Sequence, residues 1–237
     1  MFPTLSVISR ACIAASAIAL VSAGSSGGRE VRAIYIPGPG EPVEKAFLVN
    51  PGNSIEIGLP QRNLSDEVSL PDGDLVMAVL PAPPAEGAEI PAGAPMIRIP
   101  EAWKRCLLIF LGDPKNKVFP MRVLPVNASA ADFPKGKTLI YNLSSATLQA
   151  RMGSRIVVLE PGKSKTLDAP RPDFGPYPVA IDCVPAGETV PRAISRSTWQ
   201  HDPDARQILF VTPQDGMKIP RVWGILDHSE DKPEKDG

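Results

Sequence analysis

Hydrophobic residues along this chain fall in short runs cut by proline, glycine, asparagine and aspartate, and no window of a dozen residues keeps a helical period. The pattern predicts strands at Val31–Ile36, Lys45–Asn50, Ser54–Gly58, Val68–Leu70 and Leu75–Leu80. Turns fall at Pro37–Gly40, Pro51-Gly52 and Pro71-Asp72-Gly73. Two stretches share a fuller layout, WKRCLLIFLGDPKNKVFPMRV (103–123) and WQHDPDARQILFVTPQDGMKIPRV (199–222). In both, a tryptophan precedes an apolar run, then come a turn bearing Pro, Asp and Gly, a proline and an Arg-Val pair. One order used twice implies an internal duplication.

On that reading the second half is laid on the first. Phe47–Asn50 matches Leu139–Asn142, Val68–Leu70 matches Val157–Leu159, and Leu75–Pro81 matches Val179–Pro185. Trp103 matches Trp199, Phe110 matches Phe210 and Pro120 matches Pro220, while Lys163–Pro178 reads as an addition to the second copy. The proline-dense 81–95 segment is a stiff connection whose shorter counterpart is 185–191. Each copy has room for seven or eight short strands in about 95 residues, the size of one immunoglobulin-like β-sandwich. The expected fold is all-β: two tandem immunoglobulin-like sandwiches over 31–126 and 134–227, joined to the N-terminus by a 24–30 linker. The alternative is one larger sandwich built from both repeats. Residues 228–237 read as a charged, disordered tail.

Composition supports this picture. The chain has 237 residues with 28 prolines and 19 glycines, and proline favours strand ends and turns over helices. Its net charge of −1 supplies no basic footprint, which argues against a nucleic-acid partner. Arg10, the apolar run Ala11–Val21 and the Val21-Ser22-Ala23 site have the layout of a secretory signal peptide over 1–23. The mature protein is expected to be secreted or periplasmic and not membrane-spanning. Loss of the leader removes Cys12 and leaves Cys106 and Cys183. These are read either as a candidate disulfide tying the copies together or as two buried thiols.

Candidate chemistry is sparse. Gly24–Gly28 fits G-x-S-x-G formally but lacks the strand and helix that a nucleophile elbow requires. His201 and His228 stand near Asp202, Asp204 and Asp227 without the usual metal spacings, and are read as polar turns. Asp72, Asp74, Asp113, Asp173, Asp182 and Asp215 fall in or beside turns, where aspartate is favoured for backbone reasons. No catalytic, cofactor or metal residue is assigned. Asn63, Asn127 and Asn142 open N-x-S sequons. Trp223 and Tyr177 are the aromatic residues assigned to possible ligand contact, as platforms for a sugar.

Residues 34–54, IYIPGPGEPVEKAFLVNPGNS, resemble the opening strands of periplasmic pilus chaperones, which consist of two immunoglobulin-like domains. The likeness ends after about twenty residues, and the basic residues with which those chaperones grip a subunit's C-terminus have no placed counterpart, so no site is carried over. The function expected from sequence is that of an exported, non-enzymatic module of the cell envelope, structural or protein-binding, with an envelope protein or polysaccharide as partner. A carbohydrate-binding module is the runner-up. A hydrolase using loop carboxylates or a metal ranks third.

Overall fold

The computed structural model describes residues 28–38, 42–85 and 87–230. The leader over 1–23 with Cys12, most of the 24–30 joint and the end of the 228–237 tail lie outside them. Among the described residues sixteen strands are formed: β1 (Arg29–Ile36), β2 (Lys45–Asn50), β3 (Asn53–Gly58), β4 (Val68–Leu70), β5 (Leu75–Leu80), β6 (Met96–Ile99), β7 (Arg105–Gly112) and β8 (Met121–Asn127), then β9 (Thr138–Asn142), β10 (Thr147–Met152), β11 (Arg155–Leu159), β12 (Ser164–Leu167), β13 (Gly175–Val184), β14 (Arg192–His201), β15 (Arg206–Gln214) and β16 (Met217–Asp227). Among the described residues no helix is long and apolar enough to cross a membrane. Pro51-Gly52 closes the β2–β3 hairpin, with Gly52 at φ 81°, a value that L side chains rarely adopt.

The first eight strands form the sheets β4-β1-β7-β8 and β3-β2-β5-β6; the last eight form β12-β9-β15-β16 and β11-β10-β13-β14. Strand for strand, β1 answers to β9 and so on to β8 and β16. Even the parallel pairing recurs, β1 with β7 and β9 with β15. The protein is therefore two tandem β-sandwiches of one topology. Each repeat supplies both of its own sheets, which sets aside a single sandwich with one sheet from each copy.

Several residue matches change. Phe47–Asn50 lies in β2, whose counterpart is β10, whereas Leu139–Asn142 lies in β9. Val68–Leu70 is β4 and answers to β12, not to the Val157–Leu159 part of β11. Lys163–Pro178 is no insertion, because it contains β12. Short apolar strands look alike, and a match without pairing information slides by a whole strand. Phe110 and Phe210 do lie on equivalent strands but on opposite faces: Phe110 fills the first sandwich, while Phe210 points out of the second. A slip of one residue has that effect, because strand side chains alternate.

Among the described residues, three apolar layers lie between the sheets and hold the body together. Val31, Leu48, Met77, Leu108 and Phe110 belong to the core of the first sandwich, and Leu148, Ala150, Val179, Ile181 and Leu209 to that of the second. A third core joins them. Ile34 and Ile36 of β1 and Leu107, Ile109 and Leu111 of β7 pack with Leu139 of β9, Ile208 and Phe210 of β15 and Ile225 of β16. The sheets containing β7 and β15 are thus covered on both faces, giving four stacked layers of strands. This explains why CLLIFL and ILFV run apolar without alternation, a signature of strands buried on both sides. The connection between repeats joins the same core through Ala128 and Phe133. It is pinned at both ends, Ala128 N–H donating to Arg105 C=O at 3.0 Å and Gly136 N–H to Ala205 C=O at 2.9 Å.

Candidate functional site

The interface between the sandwiches has approximate twofold symmetry, because equivalent faces of equivalent sheets meet. Strand registers define the pairs. Ile109 lies opposite Leu124 as Phe210 lies opposite Trp223, and Leu111 lies opposite Arg122 as Thr212 lies opposite Arg221. Ile36 is beside Leu111, and Leu143 N–H donates to Val211 C=O at 2.8 Å, next to Thr212.

At one end of this interface, charge closes the seam. Arg32 of β1 donates to the Asp227 carboxylate at 3.0 Å, and Arg206, wholly buried, lies 3.8 Å from its other oxygen. Arg206 Nε also donates to Phe133 C=O at 2.6 Å, which fixes the connection between repeats. Asp227 further accepts from Ser229 N–H at 3.0 Å.

At the other end the sheets leave a cleft of about 530 Å³, lined by Ile36, Leu111, Leu143, Thr212, Arg122 and Arg221 together with nearby turns. These six are three symmetry-related pairs, so the cleft straddles the twofold. Close backbone packing shapes its wall: a Cβ on Gly112 would meet Gly38 N at 2.4 Å, so a side chain there requires the backbone to shift. Arg221 Nε donates to Thr212 Oγ1 at 3.3 Å. The Arg122 charge acts across the interface on Tyr141 of β9, opposing the upward push that burial gives that phenol.

A second exposed feature is the outer edge of β11. Its outward residues Ile156 and Val158 are 55% and 59% exposed. The equivalent strand β3 instead presents Ser54 and Glu56, with Glu56 ion-paired to Lys45 at 3.0 Å.

The residues singled out from sequence do not converge on either feature. Tyr177 is 4% exposed in the second core, its hydroxyl donating to Gln207 Oε1 at 3.3 Å, and burial pushes it up to about 12. Trp223 packs into the third core with its ring 4.9 Å from Phe210. Tyr177 is thus enclosed, while Trp223 is partly buried against that core. Cys106 and Cys183 are free thiols, one in the core of each sandwich. The candidate bridge is thereby replaced by two separate buried sulfurs, and burial pushes Cys106 up to about 12 and raises Cys183.

His201 ends β14, buried edge-on to Tyr177, and burial lowers its basicity. His228 Nδ1 approaches Asp202 at 3.8 Å, so the two histidine loops do meet. Among the described residues, however, no group of three or more His, Cys, Asp or Glu is arranged to hold a metal. Asp74, Asp113 and Asp202 accept backbone N–H groups in turns. Asn142 is fully buried, its amide donating to Ala146 and Leu159 carbonyls at 2.8 and 3.1 Å, which leaves its sequon inaccessible in the folded chain.

The paired arginines escaped sequence reasoning although the repeated Arg-Val was visible. Only strand pairing reveals that both face one cleft. No protein-family model matches the chain, and comparison with curated proteins finds no relative.

Proposed function

We propose that this is an exported, non-enzymatic protein-interaction module of the cell envelope, two immunoglobulin-sized sandwiches fused into one stiff body. On this reading it binds an extended segment of a partner protein along β11. The observation that carries the reading is the contrast between repeat-related edges. An edge strand offers unpaired backbone groups to any passing strand, and proteins usually guard it with charge. Edge β3 is guarded along its middle by the Lys45–Glu56 pair, whereas β11 carries its charge only at its start, in Arg155 paired to Asp168, and shows two β-branched apolar side chains beside its open edge. A partner strand added there gains main-chain hydrogen bonds, with Ile156 and Val158 as apolar anchors. Export rests on the three-part layout of residues 1–23. The sugar-binding reading has less support, since Tyr177 is buried in the second core and Trp223 is partly covered by Phe210.

The test places a photo-crosslinking residue at Val158 or, as a control, at Glu56 in the tagged protein within its native envelope. One abundant protein captured from position 158 alone, and lost in Ile156→Lys with the melting temperature unchanged, supports the proposal. Identical products from both positions, or retention on polysaccharide alone, overturn it.

A further inference from the structure

We propose that the cleft on the twofold is a binding site for a small ligand bearing a carboxylate or phosphate group on an apolar body, gripped by Arg122 and Arg221. The site is independent of the β11 edge. Its strongest feature is the repetition of charge. The symmetry-related neighbours have diverged, Leu111 to Thr212, Ile109 to Phe210 and Leu124 to Trp223, yet the position facing the cleft is arginine in both repeats.

Two guanidinium groups lining one cleft repel each other. Among the described residues neither forms an ion pair, and Asp215 is the acidic side chain in the lining. The sequence keeps two arginines, and an oxyanion between them removes the repulsion. Arginine also matches the group required, because its planar fork donates two parallel hydrogen bonds to one carboxylate or phosphate.

The floor defines the rest of the ligand. Ile36, Leu111 and Leu143 continue the third core to the cleft bottom, so the part beyond the anion meets aliphatic side chains. About 530 Å³ lies within the usual range for small-molecule sites. Pro37, Gly38, Gly112 and Pro213 complete the wall with two glycines and two prolines.

The test is titration calorimetry of the whole exported chain with two probes, inorganic phosphate and hexanoate, at low and high salt. One binding event per chain is expected, weakened by salt, with hexanoate bound more tightly than phosphate because its chain also meets the aliphatic floor; tighter binding of phosphate overturns the apolar part of the proposal. Arg122→Gln and Arg221→Gln should each weaken binding about ten- to a hundredfold, and the double variant should abolish it. Both side chains are exposed, so melting temperatures should stay unchanged. Arg→Lys variants, which keep charge but lose the fork, should fall between. Absence of binding by both probes at millimolar concentration, or binding that survives the double Gln substitution, overturns the proposal.

Discussion

Phe210→Ala probes the layer on which this architecture depends. The ring is wholly buried between the sandwiches, its centroid 4.9 Å from that of Trp223. It fills the interface position that Ile109 fills from the other side. Truncating a buried phenylalanine costs about 3–5 kcal/mol, because the lost transfer energy is joined by the cavity left behind. For a chain of this size each kcal/mol moves the melting temperature by about 2–4 °C, giving a drop of roughly 6–20 °C. Calorimetric unfolding of the protein measures it, with Phe174→Ala as control, since Phe174 is 66% exposed and its loss should change stability by less than about 0.5 kcal/mol. If Phe210→Ala costs no more than Phe174→Ala, Phe210 faces water in solution and the third core does not form.

The charged end of the seam should respond unequally to its partners. Asp227→Ala removes at once the carboxylate that Arg32 and Arg206 both approach and the acceptor of the Ser229 N–H, and should cost more by urea unfolding than Arg32→Ala, which at a guanidinium that water reaches should cost about 1 kcal/mol or less; equal losses would refute this assignment. Stability should also fall on the alkaline side. Burial raises Cys106 from 9.0 and Tyr177 from 10.0, each to about 12, so the folded chain holds protons that the unfolded chain releases. Their contribution is complete below pH about 9 and is lost as pH rises toward about 12. Urea midpoints across that window should show a slope that Cys106→Ala and Tyr177→Phe each reduce, and an unchanged slope in both would contradict the assignment.

The strands were largely legible in the sequence, and their assembly only partly so. Strands β1 to β5 follow from alternation and turn residues, because Pro, Gly and Asp interrupt the pattern sharply between residues 31 and 80. Strand β12, read as insertion, escaped notice because Ser164-Lys165-Thr166-Leu167 buries only Leu167 well, leaving almost no apolar signal. The runs Leu107–Leu111 and Ile208–Val211 were visible as unbroken apolar segments. Their meaning, burial on both faces, depends on a partner sheet about a hundred residues away in sequence. The same limit hid the cleft. Arg122 and Arg221 acquire a shared direction only through pairing with Leu111 and Thr212, and sequence spacing carries no record of that register.

The three tryptophans allow the most direct test of the fused four-layer body. Trp103 packs on the first core, Trp199 on the second and Trp223 on the third. Three variants, each keeping one tryptophan and carrying phenylalanine at the other two positions, report the cores separately during urea unfolding. The account predicts fluorescence transitions that coincide in midpoint and slope once each variant's own stability is allowed for, because neither sandwich can lose its inner sheet without exposing the shared core. Separate transitions within one protein would contradict it, most plainly if the Trp223 signal changed while far-ultraviolet circular dichroism still showed intact strands.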